Sequence, residues 1–171
     1  MILEHLTADT TLESLIKKVK GLEVDTPDED DYDPGLWPEM KSKRFISTVE
    51  KIKGHEGLWQ LSFKNGLLFF IQFNIEFGSK SENAYHNCME ICRAIVKVNN
   101  SLRGMREMLT VKETKSYQDV KNEVLSSSSL PHDRFVQFAN YNWRNEEKFA
   151  YLSASLTWPD CMSVEYREEP V

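Results

Sequence analysis

The feature that most constrains this chain is a pair of alternating runs that meet at Asn65-Gly66. Trp59, Leu61 and Phe63 alternate with Gln60, Ser62 and Lys64. After the turn, Phe69, Ile71, Phe73, Ile75 and Phe77 recur at every second position. A period of two puts one set of side chains on one face of a strand. Asn-Gly tolerates the positive φ angles of a two-residue hairpin turn. The spacing therefore predicts an antiparallel hairpin over about 58–77, with a far end that is wet on its second face, at Gln72, Asn74 and Glu76.

Gly78 stops this run. Ser79 followed by Glu82 has the spacing in which each side chain satisfies a backbone N–H of a helix's first turn. A long helix is expected from about Lys80 to Arg103, because Ala84, Cys88, Ile91, Ile95, Val98 and Leu102 form one apolar seam. An earlier helix is read from Thr11 to Lys20, with Thr10 and Glu13 as its cap and Leu12, Leu15, Ile16 and Val19 as its buried stripe. Gly21 stands at its end, where a left-handed cap is wanted. A third, short helix opens at Ser116 and Asp119 and runs through Val120 and Val124. Met108–Lys112 reads as a short strand. Phe135–Trp143 and Phe149–Trp158 read as a second hairpin around the polar turn Arg144–Glu147.

Residues Lys43–Lys53 fit both periods: Phe45, Val49 and Ile52 suit a helix, whereas Phe45, Ser47 and Val49 suit a strand. Strand is the expectation, because two strands follow. The strands come in hairpins and do not alternate with the helices, so the fold class is α+β, a mainly antiparallel sheet with helices packed on it. A chain of 171 residues is of a size for one core. A single domain over 1–171 is expected, with an acidic loop at 25–38 and a frayed tail at 165–171.

The charge is concentrated. Asp25, Asp28, Glu29, Asp30, Asp31 and Asp33 lie within nine residues without a Lys or Arg among them. Removing these six from the 27 acidic residues leaves 21, equal to the 21 Lys and Arg, so the net charge of −6 belongs to this segment. Pro27, Pro34, Gly35 and Pro38 make it a loop. Clustered like charges repel and stay solvated. A solvated connector is the plain reading of such a loop. A docking surface for a basic partner is the functional one, since clustered charge speeds encounter and fixes register. Tyr32 and Trp37 beside the carboxylates supply aromatic anchors. The binding residues expected are Asp25, Asp28, Glu29, Asp30, Asp31, Tyr32, Asp33 and Trp37. The basic stretch Lys41, Lys43, Arg44, Lys51 and Lys53 follows at once and is able to answer that charge from within the same chain.

Catalytic and cofactor chemistry leaves no signature. GxGxxG, P-loop, HExxH and GxSxG patterns are all absent. A calcium loop starting at Asp28 places Asp30 and Glu39 suitably, but Tyr32 and Asp33 fall where a ligand and the obligatory Gly are needed. Cys88 and Cys92 stand one helical turn apart near His86, yet no second ligand pair completes a zinc site; buried thiols explain them. His132 and Asp133, downstream of Ser127–Ser129, lack the geometry that a hydrolytic triad demands. No cofactor or metal is expected. The longest apolar run, Leu67–Ile71, is far too short to span a bilayer, and the first residues lack the pattern of a secretory signal. Three cysteines without a CxxC fit reduced thiols in a cytoplasm. The net charge disfavours nucleic acid.

These features favour a protein-binding module that is not an enzyme. The sharpest expectation is an immunity-type inhibitor that covers the basic surface of a partner such as a bacterial nuclease toxin. A secretion or effector chaperone acting as a dimer is the alternative. An enzyme whose scattered carboxylates leave no motif is a second one. The oligomeric state stays open.

Overall fold

A computed structural model describes residues 1–7, 9–19, 22–25, 43–102, 107–126, 135–144, 146, 148–157 and 161–171. The elements, in chain order, are a 3-10 turn at Ile2–His5, helix α1 (Leu12–Lys18), strands β1 (Glu23–Asp25), β2 (Lys43–Ile52), β3 (His55–Lys64) and β4 (Leu67–Phe77), helix α2 (Glu82–Leu102), strand β5 (Glu107–Glu113), helix α3 (Tyr117–Ser126), and strands β6 (Phe135–Arg144), β7 (Lys148–Thr157) and β8 (Cys161–Pro170). All eight strands join one sheet in the order β1-β2-β3-β4-β8-β7-β6-β5, and every pairing is antiparallel. The sheet is thus two four-stranded meanders, β1–β4 and β5–β8, fused where β4 meets β8. The α+β antiparallel architecture read from the sequence is the one observed.

Lys43–Ile52 is a strand. It turns into β3 through Lys53 and Gly54, both at positive φ, just as Asn65 and Gly66 turn β3 into β4. Lys-Gly is a weaker hairpin signal than Asn-Gly, which is why the sequence pattern shows only the second of these turns.

Residues 165–171 are not a frayed tail. Cys161–Pro170 is an interior strand that pairs with β4 on one side and β7 on the other. Met162, Val164 and Tyr166 are buried on its inner face, and Glu165 and Arg167 point the opposite way and pair with each other. The charges that make the segment look like a solvated end are those of a half-wet strand. Pro170, without an N–H, falls at the strand's last position, where a ladder donor is least missed.

Helices α1 and α2 start one or two residues later than their sequence signals. Thr11, not Thr10, caps α1, exchanging hydrogen bonds with Ser14 rather than Glu13. Thr10 instead turns inward and accepts from the Thr7 backbone. Ser81, not Ser79, caps α2, accepting from the Ala84 backbone at 3.1 Å. Ser116 caps α3 as expected, accepting from Asp119 N.

The core lies on one face of the sheet. Ile46, Trp59, Leu61, Phe63, Ile71, Phe73, Val164, Tyr166, Leu152, Tyr141 and Trp143 are all buried there. The seam of α2, Ala84, Cys88, Ile91, Ile95 and Val98, is buried against β6–β8, and the N-terminal residues Ile2, Leu3, Leu6 and Leu15 complete the same core. Cys92, one turn beyond Cys88, is buried with it. Burial pushes the Cys88 thiol up to about 12 and raises the Cys92 thiol as well, so both are neutral small apolar groups rather than thiolate ligands.

Candidate functional site

The described helices sit on the core face, and no described element covers the opposite face of the sheet. Direct partners in an antiparallel ladder share a face, so the registers give this outer face row by row. One row reads Val49, Leu58, Asn74, Glu165, Ser153 and Asn140 across β2, β3, β4, β8, β7 and β6. The next reads Ser47, Gln60, Gln72, Arg167, Tyr151 and Asn142. Most of this surface is polar, and its polar groups engage one another. Asn142 donates to Asn140, Asn140 to Gln137 and Gln137 to the Tyr151 hydroxyl, and the Ser155 and Ser163 hydroxyls lie 3.1 Å apart.

One end of the face differs. Leu67, paired with Lys64, is 53% exposed, and Phe69 is 39% exposed. Phe70, opposite Ser62, is half-buried on the same face, as is Phe149, opposite Glu169 on β8 and Arg144 on β6. A β-bulge creates this patch. Phe63 pairs with Leu68 and Ser62 pairs with Phe70, so Phe69 is an extra residue in β4. The insertion shifts the alternation by one. Leu68 goes into the core beside Phe63, and Phe69 and Phe70 stay partly exposed. Simple alternation puts Phe69 on the inner face with Ile71, and the bulge overturns that expectation. A large apolar side chain left fully wet forgoes about 1.5–3 kcal/mol of burial, so this end, with two such side chains exposed and two half-buried on a face that no described element covers, is a candidate binding surface.

The first residue of the acidic run belongs to the same end. Asp25 closes β1 and pairs with Phe45; Phe45 pairs with Ser62, and Ser62 with Phe70. Three strand spacings separate Asp25 from Phe70, roughly 14 Å. Asp28, Glu29, Asp30, Asp31, Tyr32, Asp33 and Trp37 lie outside the described residues, as do Ser127–Ser129, His132 and Asp133. The register brings the aromatic patch and the start of the acidic run together; sequence alone did not, because it hid the bulge and gave no strand order.

A second group that sequence reasoning missed is buried in the core at this end. Glu168 is 2% exposed and faces inward from β8. It accepts from Lys148 Nζ and from the Tyr166 hydroxyl, each at 2.9 Å, and Tyr166 also meets the Asn99 side chain of α2. A buried carboxylate is tolerated only when paired and hydrogen-bonded, and this one is both. The alternation Met162, Val164, Tyr166, Glu168 was the available signal. The arrangement ties β8, β7 and α2 together and exposes no reactive group. Nearby, Trp59 Nε1 is buried without a hydrogen-bond partner among the described residues, its ring 4.7 Å from Phe73 and 6.3 Å from Tyr166.

Among the described residues, no group of three His, Cys, Asp or Glu side chains is disposed to hold a metal ion, and no helix is long and apolar enough to cross a membrane. Compared with protein-family models, curated proteins and solved structures, the chain matches none of the three.

Proposed function

We propose that this chain is a protein-binding module, an immunity-type inhibitor that docks on a basic partner such as a nuclease toxin through its acidic segment. The observation that carries this reading is the sheet face that no described element covers, whose partly exposed aromatic end lies in register with Asp25, where the acidic run begins. Binding hot spots combine aromatic anchors with charge. Six carboxylates add long-range attraction, which acts mainly on the association rate.

The test is kinetic. A partner captured from the native host should bind one-to-one, and added salt should slow its association. A variant with Asp28→Asn, Glu29→Gln, Asp30→Asn, Asp31→Asn and Asp33→Asn should associate on the order of tenfold or more slowly at low salt, because steering scales with the charge removed. An unchanged association rate takes the role away from the segment.

A further inference from the structure

We draw no further inference here: the strongest candidate, the partly exposed apolar patch of Leu67, Phe70 and Phe149 at one end of the sheet face that no described helix covers, is an unpartnered surface, and nothing in the structure shows what covers it.

Discussion

The two hairpins that flank the centre of the sheet each carry a bulge with an extra phenylalanine, and they use it in opposite ways. In the β3–β4 hairpin, Phe69 is inserted and is 39% exposed. In the β6–β7 hairpin, Gln137 pairs with Ser155 and Ala139 with Ala154, so Phe138 is the inserted residue; both Phe138 and Ala139 are fully buried. Phe138 packs 5.3 Å from Tyr85 of α2, whose hydroxyl donates to Thr114 O at 2.5 Å. The difference lies in what stands above each strand. Helices α2 and α3 lie over the second bulge and give its Phe a place to go. Nothing described lies over the outward side of the first. The same local device thus adds to the core in one half and builds a surface in the other.

That contrast is open to attack by substitution. Phe138→Ala should cost about 3–5 kcal/mol, because it leaves a cavity beneath a helix, seen as a lower urea midpoint with an unchanged slope. Glu168→Ala should cost about 3 kcal/mol or somewhat more, since it removes the buried carboxylate to which the largely buried Lys148 ammonium donates; Glu168→Gln, which keeps the shape, should lose less, and equal losses would mean that the charge is irrelevant. Gly57→Ala should cost about 1–3 kcal/mol. A Cβ there would fall 2.1 Å from the Phe73 ring, the inner-face packing of the outward-bulged hairpin. Phe69→Ala should cost clearly less than Phe138→Ala, about 1 kcal/mol. A loss as large as that of Phe138→Ala would erase the distinction between the two bulges.

A pH experiment sharpens the same comparison from the side of α2, the helix above the inward bulge. The folded state holds the Cys88 thiol at about 12, against an ordinary value of 9.0, because burial disfavours the thiolate. The raised value means that its contribution is intact below pH 9 and is lost as pH rises from there towards 12, by about 1.4 kcal/mol per unit while only the unfolded chain ionises. Cys88→Ala should flatten that part of the alkaline slope in urea titrations. A slope unchanged by the substitution would place the alkaline loss in other groups. Cys161, only half-buried, should react with iodoacetamide before Cys88 and Cys92 do.

Much of this molecule was written in local pattern. The Asn65-Gly66 turn, the α2 seam and the two alternating hairpins are short-range features, and each matches what its residues prefer on their own. The concentration of negative charge between Asp25 and Asp33 is likewise a fact of the chain. What escaped notice escaped for physical reasons. The cap at Thr11 rather than Thr10 is decided by which hydroxyl the core leaves free. Glu165, Arg167, Glu168 and Glu169 look like a solvated tail until β4 and β7 supply partners on either side. A bulge changes the phase of a strand by one residue without leaving a mark on its composition, so Phe69 reads as core.

The sequence by itself determined an α+β chain with antiparallel hairpins, a long amphipathic helix and charge in one place. Tertiary structure alone decided that β8 would fuse the two meanders, that the described helices would all lie on one face, and that the aromatic end of the other face would fall in register with Asp25. Strand order and bulge direction are long-range outcomes: they depend on which residues are available to pair and on which side a helix already occupies, and neither is encoded in any short window of the chain.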